Sequence, residues 1–168
     1  MEPQSSSYNY IYVERPQPVY LFESRFGASY EVRFKAGPEL VDNPAFENYI
    51  FELVIVLADN PYAPKLPPVD ALMSATIARI VADFFEIRER AVVYVCDDSD
   101  SKADSRRKLF DRWFERYRIK KYAKLSVPLA VEDDDVEYSA EFISRLDNPY
   151  FMPLYESFNR KVSGEKQP

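Results

Sequence analysis

The sequence predicts an α+β fold. We expect one mixed, mostly antiparallel sheet of about seven strands in the order β-β-β-β-α-β-α-β-β-α, with two main helices packed on one face. Three observations carry this. Tyr30, Val32 and Phe34 alternate with Glu31, Arg33 and Lys35, the period-two pattern of a strand buried on one side. Val69, Met73, Thr76, Ile77, Ile80, Phe84 and Ile87 recur at intervals of three and four, the stripe of an amphipathic helix. Ala91-Val92-Val93-Tyr94-Val95 is a short, β-branched apolar run of buried-strand length.

In chain order, residues 1–7 are polar and read as a loose terminus, residues 8–161 as a single domain, and residues 162–168 as a second loose terminus. Tyr8 to Val13 is the first strand, which Pro16 and Pro18 break off, and Val19 to Ser24 is the second. Arg25-Phe26-Gly27-Ala28 fits a hairpin turn, with Gly27 supplying the backbone angle that other residues avoid. Tyr30 to Lys35 completes an antiparallel meander. After the loop 36–45, Tyr49 to Ala58 is strongly apolar with Glu52 as its one charge, so a more central strand is expected there. Four prolines between Pro61 and Pro68 make an ordered linker.

Asp70 to Glu89 is the clearest helix, with Arg79, Asp83, Glu86 and Arg90 on the face opposite its apolar stripe. Near the other end, Ala123, Leu125, Val127, Leu129 and Val131 alternate with Lys124, Ser126, Pro128 and Ala130. Val136, Tyr138, Ala140 and Phe142 alternate with Glu137, Ser139 and Glu141, and the acidic tip Glu132 to Asp135 joins the two runs into a hairpin. Pro128 cannot donate to a ladder, which places the first of these strands at an edge or a bulge. Asn148-Pro149 opens a short helix to about Lys161, interrupted by Pro153. The clean alternation of three strands implies a sheet face left partly polar.

Composition excludes more than it identifies. The chain has 168 residues, 46% of them hydrophobic and 15% aromatic, enough for a substantial core. With no histidine there is no Ser-His or Cys-His dyad, and the commonest soft-metal ligand is missing. One cysteine allows neither an intrachain disulfide nor a cysteine-based zinc site. Three glycines against 13 prolines argue against phosphate-cradling glycine loops. MEPQSSSYNY lacks the basic-then-apolar order of a signal peptide, and no apolar run reaches membrane-spanning length. A soluble protein of the reducing cytoplasm is expected.

The net charge of −6 is unevenly spread. Residues 102–124 hold ten basic and three acidic side chains, a net of +7, leaving about −13 on the remainder.

The strand-to-helix corner between Ala91 and Tyr117 is the one place suited to chemistry. Asp97, Asp98 and Asp100 follow a strand's C-terminal end, where α/β proteins often build sites. Their hard oxygens suit Mg²⁺, and Arg106 and Arg107 could orient a phosphate beside it. The simpler reading is that these aspartates cap the helix and pair with the arginines. Such a metal site also needs a carboxylate from another element, for which Asp70, at the start of the first helix, is the one distant candidate. Ser101-Lys102-Ala103-Asp104 has the form of a capping box. Leu109, Phe110, Trp113 and Tyr117 form a stripe that packs a core more readily than it stacks a ligand. The basic residues Arg106, Arg107, Arg112 and Arg116 could contact phosphate or nucleic acid, although a solvated face balancing the acidic remainder is the simpler reading. Cys96 is read as a structural thiol, because the flanking carboxylates would raise its pKa and no histidine base exists.

Tyr94-Val95-Cys96-Asp97-Asp98-Ser99-Asp100, followed by Arg106 or Arg107, Leu109-Phe110 and Trp113-Phe114, forms the pattern Y-x-C-D-x-x-D…R…L-F-x-x-W-F. It resembles a family of small bacterial proteins that constitute a domain of unknown function, over about residues 8–118. The resemblance implies a bacterial origin and a compact domain. It carries no known activity, so it assigns no functional residue.

Three functional expectations follow. The first is a non-enzymatic protein-interaction module with no catalytic residue and no cofactor, which binds a protein partner or itself through a tyrosine-rich sheet face or a sheet edge. The second is a metal-dependent phosphoryl-transfer or nuclease-like enzyme using Mg²⁺ on Asp97, Asp98 and Asp100. The third is a nucleic-acid binder using the basic segment 102–124. No membrane association is expected.

Overall fold

Pairing starts at once, with a hairpin that turns on a single residue. In the computed structural model, which describes residues 7–96, 121–128 and 139–163, β1 (Tyr10–Arg15) pairs antiparallel with β2 (Gln17–Glu23) around Pro16. Pro18 does not break the chain as expected. It lies inside β2, opposite Glu14. β2 pairs antiparallel with β3 (Ser29–Ala36), and the turn between them is closed by Gly27 N–H donating to Ser24 O at 3.0 Å. Gly27 has φ +81°, the left-handed angle that glycine adopts without a Cβ clash.

β4 (Ile50–Asp59) follows, then α1 (Ala71–Phe84) and β5 (Ala91–Cys96), which runs parallel to β4. A parallel pair needs a long crossover, and residues 60–90 supply it. β6 (Tyr122–Pro128) and β7 (Ser139–Arg145) pair antiparallel, and β7 also pairs antiparallel with β5. α2 (Phe151–Ser163) ends the described chain. The seven strands lie in the order β1-β2-β3-β4-β5-β7-β6. The fold is thus α+β with a mixed, mostly antiparallel seven-stranded sheet. β4 occupies the central position expected of it, and β6, which ends at Pro128, is an edge strand. The helix expected over 101–117 and the acidic tip 132–135 lie outside the described residues, and with them the expected packing of both main helices on one face. No helix among the described residues is long and apolar enough to cross a membrane.

The chain forms two compact units, residues 1–35 with 54–86 and residues 36–53 with 87–168. In the first, Tyr20, Phe22, Tyr30, Val32 and Phe34 fill the inner face of β2 and β3, and α1 contributes Met73, Ala75, Ile77, Ile80, Val81 and Phe84. Asp70 caps α1 by accepting from Met73 N–H at 3.0 Å. The helix ends at Phe84 rather than Glu89. Phe84 and Phe85 are both fully buried. Phe85 is the C-cap residue, and its N–H donates to Val81 O at 3.0 Å. The outermost members of the expected stripe, Val69 and Ile87, lie beyond the two ends of α1 and are exposed.

In the second unit, Ile50, Ala91, Val93, Val127, Ala140 and Phe142 form a core with Leu154 and Phe158 of α2. Phe142 meets Phe158 at 5.9 Å, Tyr155 at 5.6 Å and Phe151 at 6.0 Å between ring centroids. Pro153 does not interrupt α2. It stands in the first turn, where its missing N–H would have had no helical acceptor. The sequence alternation in β7 implied a polar outer side, yet Glu141 and Ile143 on that side are as buried as Phe142.

Candidate functional site: the open edge of the first strand

Asp97, Asp98 and Asp100, and the basic Arg106, Arg107, Arg112 and Arg116, lie outside the described residues. The strand leading to them ends at Cys96. Among the described residues no group of three or more His, Cys, Asp or Glu side chains is placed to hold a metal ion. Asp70, the distant ligand candidate, is already engaged. Besides capping α1, its carboxylate accepts from Tyr8 OH at 2.5 Å and pairs with Arg25 Nε at 3.1 Å. Burial first, and the bond to this carboxylate second, push the Tyr8 phenol above its ordinary pKa.

A hydroxyl beside a carboxylate occurs at Ser157. Its Oγ donates to Asp42 Oδ1 at 2.5 Å and accepts from the Asp42 and Asn43 amides at 2.9 and 3.1 Å. Arg160 grips the same carboxylate at 2.9 and 3.2 Å. Bonds from Arg160 and Ser157 hold the Asp42 pKa down to about 2. A carboxylate that acidic is a poor base, and the Ser157 side chain is buried, so this cluster ties the 41–43 turn to α2.

Glu141 is the buried carboxyl that sequence reasoning missed. One oxygen accepts from Ser126 Oγ at 3.1 Å, and the other has no hydrogen-bond partner among the described residues. Period-two alternation marked it as outward-facing. That pattern cannot show that both sides of a strand are covered.

The remaining distinctive surface is β1, which ends the sheet. Its geometry follows from the β2–β3 turn. Ser24 N–H donates to Ala28 O at 2.9 Å, so Ser24 directs its backbone groups toward β3. Backbone direction alternates along a strand. Phe22, Tyr20 and Pro18 therefore also face β3, while Leu21, Val19 and Gln17 bond to β1. Pro18 has no N–H to give, and the β2–β3 pairing accordingly stops at Val19. The register pairs Ile11 with Leu21 and Val13 with Val19. The N–H and C=O groups of Tyr10, Tyr12 and Glu14 consequently point away from the sheet, along an edge that no other strand among the described residues covers.

The side chains divide by face. Tyr10 and Tyr12 lie on the α1 side, with Tyr12 5.0 Å and Tyr10 5.9 Å from Tyr20 between ring centroids. Tyr10 OH donates to Asp83 of α1, and the Arg79 guanidinium lies 5.9 Å from the Tyr10 ring centre. Burial and the Asp83 carboxylate push the Tyr10 phenol up to about 12. Ile11 and Val13 lie on the other side. There Val13, Val19 and Leu21, with Glu31, Arg33 and Lys35, line a shallow concavity of about 430 Å³. This is the partly polar face expected from the alternation of β3. Ile11 is 66% and Tyr12 50% exposed.

The sequence signal for this site is the run Tyr8-Asn9-Tyr10-Ile11-Tyr12-Val13, which carries no charge and no proline before Glu14. No curated protein and no solved structure matches the chain. One family does match, over residues 70–160. The match begins after the N-terminal hairpin, where the resemblance was expected to start, and continues through β7 and most of α2, where none was expected. The chain belongs to this family, DUF6169, a family of unknown function.

Proposed function

We propose that the protein is a non-enzymatic interaction module and that the open edge of β1 is its docking element. The observation supporting this is the direction of the Tyr10, Tyr12 and Glu14 backbone groups beside exposed Ile11 and Tyr12. An extended segment laid along β1 would satisfy those groups and cover both side chains, the mode of strand addition. Natural edges are usually blunted by lysine, proline or a bulge. From Tyr10 to Val13 β1 has none of these. We place the module in a bacterial cytoplasm, where a chain with one cysteine and hence no internal disulfide is at home.

The test is site-specific photo-crosslinking in the native host. A benzophenone side chain at position 12 should give discrete crosslinked products. The same group at position 62, where Tyr62 is 40% exposed in the 61–68 linker, should not. Absence of product at position 12, or equal products at both, overturns the proposal.

A further inference from the structure

We infer that the occupant of the β1 edge is a second copy of this chain, paired antiparallel about a two-fold axis through Tyr12. This rests on the strand-addition reading above and adds the partner and the register. A two-fold interface must be self-complementary. Only outward-facing residues can exchange backbone bonds, and these are Tyr10, Tyr12 and Glu14. An axis at Tyr12 pairs Tyr12 with Tyr12 of the second copy, and Tyr10 with its Glu14, so every outward N–H and C=O of the strand finds a partner.

The side chains match in the same register. On the face bearing the shallow concavity, Ile11 meets Val13 of the second copy in a close, non-hydrogen-bonded pair, and aliphatic covers aliphatic. On the α1 face, Glu14 of one copy arrives opposite Tyr10 of the other, and the Arg79 guanidinium lies over that ring. Arg79 donates to Ser7 Oγ at 2.9 Å and has no ion pair among the described residues. Glu14 is exposed and has none either. The two-fold brings Glu14 toward Arg79 twice, with the Asp83 carboxylate already engaged by the Tyr10 hydroxyl. An axis at Val13 would instead set Glu14 opposite Tyr12 of the second copy, two residues further along the strand from Tyr10 and Arg79.

One six-residue strand is a small interface, so the dimer should be weak and reversible. Sedimentation velocity on the full chain, from about 10 μM to about 1 mM, should show a monomer–dimer equilibrium in the range such small interfaces occupy. Glu14→Lys should weaken association by about tenfold or more by opposing Arg79, and Glu14→Lys/Arg79→Glu should recover most of it. Register is read separately. Under mild oxidation, Tyr12→Cys/Cys96→Ser should form a symmetric disulfide across the axis and Glu14→Cys/Cys96→Ser should not, with circular dichroism confirming that every variant is folded.

A wild type that stays monomeric throughout, or a Glu14→Lys chain that dimerises as well as wild type, overturns the inference. If the wild type is monomeric while position 12 crosslinks to a different protein, the second copy is excluded and the strand-addition reading survives. If it is monomeric with no crosslink, both fall.

Discussion

Phe34 of β3 and Phe84 of α1 stack with ring centroids 3.9 Å apart and planes 6° from parallel. Both are fully buried. Beyond the ring contact itself, the pair stabilises chiefly through apolar burial. Phe84→Ala should destabilise the protein by about 3–5 kcal/mol, and Phe84→Leu by markedly less. Urea unfolding followed by circular dichroism measures this. A cost below about 1 kcal/mol would mean that α1 is not held by this stack.

The Asp42 cluster predicts a pH dependence of stability. Its carboxyl is lowered from 3.8 to about 2 in the folded chain. Between those values the unfolded chain binds the proton that the folded chain refuses, so stability rises with pH across the window. The contribution is fully present above the unfolded value near 3.8 and is lost as pH falls through about 2. Asp42→Asn should remove that slope while retaining an acceptor for Ser157 and Arg160. Unfolding free energies measured from pH 2 to pH 6 should converge for wild type and variant at the acid end. Parallel curves would contradict the assignment.

Asn148 joins three pieces of the second unit. Its Oδ1 accepts from Tyr150 N–H at 2.8 Å, just ahead of α2, and its Nδ2 donates to Ser144 Oγ at 3.0 Å and toward Arg90 O at 3.4 Å. It is 5% exposed, so truncation removes these bonds from a site closed to solvent. Asn148→Ala should cost about 1–3 kcal/mol, the range for removing a buried hydrogen-bonding group from its partners. Asn148→Asp keeps the acceptor and loses the donor, and should fall between wild type and alanine. If Asp and Ala prove equal, the bond to Tyr150 contributes nothing.

The outcome along the chain separates what short-range pattern can carry from what it cannot. β3 and the heart of α1 were legible because each fixes its own face through spacing, and β5 because a short β-branched apolar run marks a buried strand by itself. Pro128 correctly marked β6 as an edge, since a missing donor is a local property. Pro153 misled because the cost of a proline depends on its place in the helix, and the first turn was not recognised. Glu141 misled because coverage of a strand's second side is set by elements distant in sequence. The open edge of β1 belongs to the same class. Its composition permitted an edge, but strand order decides which strand becomes one. The outward direction of Tyr10, Tyr12 and Glu14 required a hydrogen bond two strands' worth of sequence away, at Ser24.

The acidic corner yields the last prediction. Asp97, Asp98 and Asp100 fall within four consecutive residues and would have to supply Mg²⁺ from one segment, and the carboxylate that could have joined from another element, Asp70, is occupied by Met73, Tyr8 and Arg25. Mg²⁺ demands near-ideal octahedral oxygen geometry, which a single short segment supplies poorly. Under the interaction reading, millimolar Mg²⁺ or Mn²⁺ should leave the melting temperature unchanged. Neutralising like charges in Asp97→Asn/Asp100→Asn should leave it equal or slightly higher. Low-salt heparin or DNA should not retain the protein, despite Arg106, Arg107, Arg112 and Arg116, because the net charge of −6 opposes a polyanion. A metal-induced rise in melting temperature that disappears in the double variant would replace the interaction reading with a metal-dependent one. Retention that falls steeply with salt would replace it with nucleic-acid binding.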